Sequence, residues 1–208
     1  CPAYGALIEQ AEGLLATARD EAGIWAQPHG EEFYQDAIRQ LGGSGLSADE
    51  IHQLGLSEVE RITGKMDALL RDQGYKEGTV AERMAALGEE PRFLYPDTED
   101  GREELIDDLN ERIEVVTAKM TKLSKTAPTQ RVEVRPVPME IQDGAPSGMY
   151  MGASPDDDRP AVFMINLRDM RAHPKFSLPT LTYHETVPGH HWQISLATAL
   201  KDVPLLRR

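Results

Sequence analysis

The chain of 208 residues contains one cysteine, Cys1, so no disulfide can close within it. A reduced compartment suits that count, although a disulfide-free secreted protein would look the same. Basic residues are scarce: 22 Lys and Arg stand against 35 Asp and Glu, a formal net charge of −13. Without a basic stripe, neither nucleic acid nor an anionic membrane is expected as a partner. No apolar run approaches the roughly 18 residues needed to span a bilayer. No basic-then-apolar leader is visible, and the first residue is not Met. Cys1 is the residue type that carries a lipid anchor, but the segment after it reads as a helix, so a cytoplasmic location is expected. The plain zinc-hydrolase spacing H-E-x-x-H is also missing, because the residue four after His184 is Pro188.

What remains is ordinary for a globular protein. Hydrophobic residues make up 40% and charged residues 27%, in a length that suits one or two domains with a core. Helical periodicity dominates the first half. Residues 3–22 carry Leu7, Ile8, Leu14 and Leu15 as a stripe with a period of about 3.6 residues. Gly23 to Gly30 form a connector in which Trp25 is expected as a core anchor and His29 as a solvated loop residue. A short helix over 31–41 ends at a glycine-rich turn. Ser47 with Glu50 is a capping box, and Ile51, Leu54, Val59, Ile62, Met66 and Leu69 follow as an apolar stripe to about Gln73. His52 falls beside that stripe and reads as a surface histidine. A further helix is expected over 79–88, then an extended apolar stretch from Phe93 to Pro96 that packs on the helices. The longest helix, 98–125, has Leu105, Leu109, Ile113, Val116, Met120 and Leu123 on one side. Its acidic start and basic end match the helix macrodipole, which stabilises the helix and implies no site.

After Pro128 the pattern changes. Residues 131–137 alternate with period two, and 148–151 and 161–165 read as two further strands. Asp156, Asp157 and Asp158 lack the alternate spacing of a calcium loop and read as a solvated turn. The expected fold class is mainly α (α+β), with a small, mostly antiparallel three-stranded sheet before the last helix. The helical region covers residues 1–127, and 128–208 holds the sheet and the histidine helix.

That last helix, capped by Ser177 with Pro179 in its first turn, carries His184, Glu185, Pro188, Gly189, His190 and His191. Imidazoles beside a carboxylate are the donor set of a zinc hydrolase, in which the Glu activates water. Spacing argues against a regular helix here. An i+6 residue sits about 240° round, and an i+7 residue is about 10.5 Å along, so neither His190 nor His191 can share an ion with His184 without a distortion. Pro188 removes the N–H that the carbonyl of His184 would accept, and Gly189 tolerates unusual backbone. A bulge absorbing two residues puts His190 where the second ligand belongs. His191 then falls one step round, where it could donate to a substrate oxyanion or to a carboxylate behind the ligands. The competing reading is a helical corner with surface histidines and no metal.

The residues also carry a family resemblance. H-E-x-x-P-G-H-H over 184–191 is the signature of the bacterial family called domain of unknown function 885. Gly23-Ile24-Trp25 with Gly30-Glu31-Glu32-Phe33-Tyr34 is similar to another of its segments, as is the stretch 47–59. Asp158-Arg159-Pro160 followed by Phe163-Met164-Ile165-Asn166 resembles a third, with Ala161 where that run usually has Gly. The resemblance covers nearly the whole chain. It implies a helical zinc peptidase related in fold to thermostable carboxypeptidases, of which 1–208 is a middle piece of a larger domain.

On that resemblance, zinc is the expected cofactor, His184 and His190 are its ligands, and Glu185 is the general base with His191 as a further catalytic residue. The third ligand is implied to be a Glu on a later helix outside this chain, so the remainder of the full-length protein is a necessary partner. The only later carboxylate is Asp202, about three turns along the same helix and too far to reach back. The expected substrate is a peptide or small amide, laid along an edge strand at Ala161, Val162 and Phe163. Two alternatives stay open: a zinc amidase or esterase on non-peptide substrates, and a non-catalytic helical module with structural metal or none.

Overall fold

A computed structural model describes residues 2–15, 17–153, 159–200 and 203–204. Cys1, the aspartates Asp156, Asp157 and Asp158, and Asp202 lie outside the described residues. The chain divides into two units, Cys1–Tyr75 and Lys76–Arg208. The long helix that the sequence groups with the other helices of residues 1–127 thus belongs with the sheet.

The first unit holds α1 (Pro2–Leu15), α2 (Gly30–Gly42) and α3 (Ala48–Asp72). α1 ends at Leu15, short of the expected 22. The capping box before α3 is formed. The Ser47 hydroxyl accepts the Glu50 N–H, and the Glu50 carboxylate accepts the Ser47 N–H at 2.8 Å. Each bond satisfies a backbone donor that the first helical turn leaves free. The apolar stripes are not core as expected. Trp25 is 63% exposed, tilted against Tyr34 with ring centroids 5.5 Å apart. Leu7 and Ile8 of α1 and Leu54 and Ile62 of α3 are exposed as well.

The second unit contains α4 (Val80–Gly88), α5 (Glu99–Leu123) and three strands, β1 (Val132–Pro136), β2 (Gly148–Met151) and β3 (Ala161–Ile165). Thr79 makes a second capping box with Glu82, and the Thr98 hydroxyl accepts the Gly101 N–H at 3.1 Å to start α5. Leu105, Leu109 and Ile113 of α5 form the core with Val134, Phe163, Ile165 and Leu178. Tyr95, in the extended stretch expected to pack on the helices, is buried in the same cluster and donates to Asp108 at 2.5 Å.

The strand order is β1-β3-β2, with β1 parallel and β2 antiparallel to β3. The sheet is therefore mixed, with one parallel pair where a mostly antiparallel arrangement was expected. β3 is the central strand. Its burial alternates, with Ala161, Phe163 and Ile165 fully enclosed against the core. This corrects the expectation that Ala161, Val162 and Phe163 form a substrate-binding edge, because the backbone of β3 is hydrogen-bonded to a strand on each side. The continuous apolar run Ala-Val-Phe-Met-Ile suits a central strand, whereas the alternating 131–137 run suits an edge. The outer edge of β1 is partly closed. Asn110 Oδ1 of α5 accepts the Val134 N–H at 3.1 Å, and Pro136 has no N–H to offer.

Candidate metal centre

Two short helices build the site: α6 (Leu178–Glu185) and α7 (His190–Ala199). Ser177 stands at the start of α6, but its hydroxyl donates to the Pro174 carbonyl at 2.9 Å and caps no helical N–H. The buried side of α6 is Leu178, Thr182 and Glu185. The Thr182 hydroxyl donates to the Leu178 carbonyl, and the Thr186 hydroxyl and N–H both donate to the Thr182 carbonyl. These bonds satisfy carbonyls that the end of a helix would otherwise leave unpaired in the interior.

The expected bulge is a complete break. α6 stops at Glu185, residues 186–189 turn, and a new helix begins at His190. The Val187–Pro188 peptide is cis, and Val187 is buried. Pro188 cannot donate to the carbonyl of His184, so the helical ladder has no continuation at that point. Across the break the Gly189 N–H donates to the Tyr183 carbonyl at 3.0 Å and the Trp192 N–H to the Thr186 carbonyl at 3.3 Å. Each bond reaches back six residues where a helix reaches back four. Two residues are thus absorbed, and His190 comes to the position that i+4 holds on a regular helix.

The imidazoles of His184 and His190 meet nearly at right angles, with ring centroids 4.7 Å apart. One ligand atom each from His184, Glu185 and His190 all lie within 4.8 Å of one another. His184 is exposed, His190 half-buried, and Glu185 only 7% exposed. Glu185 is bonded to none of the described side chains, and because no buried side-chain oxygen among them lacks a partner, its carboxylate reaches solvent. Neutral imidazoles and a carboxylate are the ligands that a divalent cation takes. The donor set fits zinc, whose tetrahedral sites take imidazole nitrogens and carboxylate oxygens as ligands.

His191, expected as a further catalytic residue, occupies a different environment from the cluster. Its ring is 3% exposed, and both nitrogens are engaged. Nε2 lies 3.1 Å from the Gln130 carbonyl, which can only accept, so Nε2 carries the proton. In the neutral ring Nδ1 is then an acceptor, 3.1 Å from the Tyr150 hydroxyl and 3.3 Å from Ser195 Oγ. Burial lowers the His191 pKa, partly opposed by the Gln130 carbonyl, and favours the neutral form. Burial likewise raises the pKa of Tyr150, opposed by a hydrogen bond from Ser195. His191 therefore ties α7 to β2 and to the segment before β1. Sequence reasoning missed Gln130, Tyr150 and Ser195. Ser195 was findable, one helical turn after His191; nothing local marks the other two. A cavity of about 650 Å³ lies behind this tie, bordered by Thr117, Gln130, Val187, His191 and Trp192, and none of the three clustered residues lines it.

The family model described as "Bacterial protein of unknown function (DUF885)" matches residues 1–208. The chain belongs to the DUF885 family. Among solved structures, one described as "putative lipoprotein from Colwellia psychrerythraea" is similar to it, with 56% identity over 99% of this chain and a TM-score of 0.92. This DUF885 chain spans 35% of the length of that protein. No curated protein matches the chain. Among the described residues, no helix is long and apolar enough to cross a membrane. On location, the matches support less than the cytoplasmic expectation from the sequence.

Proposed function

We propose that this chain supplies the metal-binding and proton-transferring portion of a zinc-dependent hydrolase that cleaves peptides. The observation that carries the reading is the clustering of the Glu185 carboxylate with the His184 and His190 imidazoles, one ligand atom of each within 4.8 Å of the others. His184 and His190 would hold the ion through neutral ring nitrogens. When bound, zinc polarises the substrate carbonyl and makes a water acidic enough to attack near neutral pH. Glu185 accepts the proton of the attacking water and passes it to the leaving nitrogen. The water oxygen adds to the carbonyl carbon, the C–N bond breaks, and the products are a carboxylic acid and an amine.

A catalytic zinc takes about three protein ligands. The described residues offer His184, His190 and, if it turns inward, Glu185. On this reading Glu185 stays free for proton transfer, and the third ligand comes from the portion of the full-length protein outside these residues.

The peptide substrate is favoured by β2. The Asn166 N–H donates to the Ser147 carbonyl, which with the strand register turns the backbone groups of Gly148 and Tyr150 away from β3. Those groups have no hydrogen-bond partner among the described residues, and β2 packs beside α6, where Leu181 lies close to Gly148. An extended chain can pair with such an edge. On this reading β2, in place of the β3 residues named from the sequence, is the strand that supports peptide pairing.

Zinc content of the full-length protein and the activity of Glu185→Gln test the proposal together. The parent protein should hold one zinc per chain and cleave peptides. The Gln variant should keep the zinc and lose a hundredfold or more in rate, about 3 kcal/mol of transition-state stabilisation. Near-full activity in the variant would remove Glu185 from the chemistry. Zinc with turnover of esters or small amides alone would favour the amidase or esterase reading. No zinc and no turnover would leave a non-catalytic module.

A further inference from the structure

The helices of the first unit have apolar faces that nothing within that unit covers. On α3, Ile51, Leu54, Val59, Ile62 and Leu69 are between 37% and 66% exposed. Their spacing places them on one face of a helix of 25 residues. The ion pair of Arg71 with Asp67 lies on the opposite face. α1 repeats the pattern, with Leu7, Ile8, Leu14 and Leu15 all more than half exposed. Single exposed leucines are normal, but a stripe along about 27 Å of helix is a surface that seeks a partner.

We propose that the α3 stripe is a docking face for another stretch of the same, longer polypeptide, one that presents its own apolar residues at helical spacing. Two observations select this occupant. The similar solved protein contains the equivalent of this chain as 35% of its length, at a TM-score of 0.92, so the same fold exists inside a chain with ample further polypeptide. Charge disfavours the competitors. Residues 1–75 hold thirteen Asp and Glu against five Lys and Arg. An anionic bilayer repels such a surface, and a second copy would set two acid-rich units face to face. The proposal requires neither the metal nor the hydrolase reading.

Hydroxyl-radical footprinting of the unmodified full-length protein tests it without any variant. Leu54, Ile62 and Leu69 should be oxidised at least about tenfold more slowly than in the urea-unfolded protein, with no change on hundredfold dilution. Oxidation near the unfolded rate would show a bare face and overturn the proposal. Protection that disappears on dilution would overturn it in favour of a second copy. Protection that appears only with phospholipid vesicles would overturn it in favour of a bilayer surface.

Discussion

The Cα of Gly189 passes so close to His184 that a Cβ on residue 189 would sit 1.8 Å from the His184 carbonyl oxygen and 2.5 Å from that of Tyr183. Both contacts are backbone, so no rotamer change relieves them. The approach is what lets the Gly189 N–H reach the Tyr183 carbonyl and bring His190 back to His184. Gly189→Ala should therefore destabilise the protein by more than about 2 kcal/mol and lose zinc, even though the ligands are unchanged. Denaturant midpoints and metal content check both halves. An alanine variant with normal zinc and stability would mean that the turn tolerates a side chain.

The adjacent histidines should respond to mutation in opposite ways. His190→Ala removes a half-buried ring from the cluster and should abolish zinc binding while leaving metal-free stability nearly unchanged. His191→Ala removes the hydrogen bonds to the Gln130 carbonyl and the Tyr150 hydroxyl and should cost about 1–3 kcal/mol. Any loss of zinc in that variant should follow its loss of stability. Chemical denaturation of the metal-free proteins, with zinc titration alongside, separates the two. Loss of zinc from the His191 variant with unchanged stability would reverse the assignment.

Leu109 is fully enclosed where α5 meets the sheet. Leu109→Ala should cost about 3 kcal/mol through lost burial and the cavity left behind. Val115 lies on the same helix and is 49% exposed, so Val115→Ala should fall within about 0.5 kcal/mol of the parent. Equal effects from the two would mean that the second unit is not packed on this face of α5.

Acid should weaken α3 and α4 in a particular way. Backbone hydrogen bonds from Ser47 and Thr79, with their hydroxyls second, hold the carboxyls of Glu50 and Glu82 below the ordinary Glu value. A carboxylate with a lowered folded pKa adds stability that is complete above its unfolded value and disappears as the pH falls through the folded one. Helical signal followed against pH from 7 to 3 should show an acid-sensitive step below the usual Glu range. Glu50→Gln with Glu82→Gln should flatten it. An unchanged acid profile in the double variant would mean that the two boxes contribute nothing to the pH response.

Much of the molecule was legible from local pattern. Ser47 with Glu50 announces the start of α3, and the stripe through Leu105, Leu109 and Ile113 identifies both α5 and its buried side. The three strands lie where alternation and apolar runs place them. The pairing of His184 with His190 was also readable, because Pro188 and Gly189 say that a regular helix is distorted there and the spacing says how many residues must be absorbed. Less was legible wherever the answer depended on a distant partner. The stripe of α3 has the same periodicity as that of α5, yet only the second is covered. Periodicity reports that a face is apolar, not that anything lies against it.

The sequence by itself determined most of the elements, the distortion at Pro188 and Gly189, and the grouping of His184, Glu185 and His190, because each rests on backbone chemistry or spacing within a few positions. Only the tertiary structure decided that β3 runs between β1 and β2, since strand order depends on which edges the connecting segments can reach. It alone decided the place of His191, which looks like its neighbour in the sequence and differs in what surrounds it. Gln130 lies 61 positions away and Tyr150 41 positions away, and together they hold that ring in the interior. Hydrogen bonds between residues so far apart form only once the sheet and α7 have packed, so no local pattern announces them.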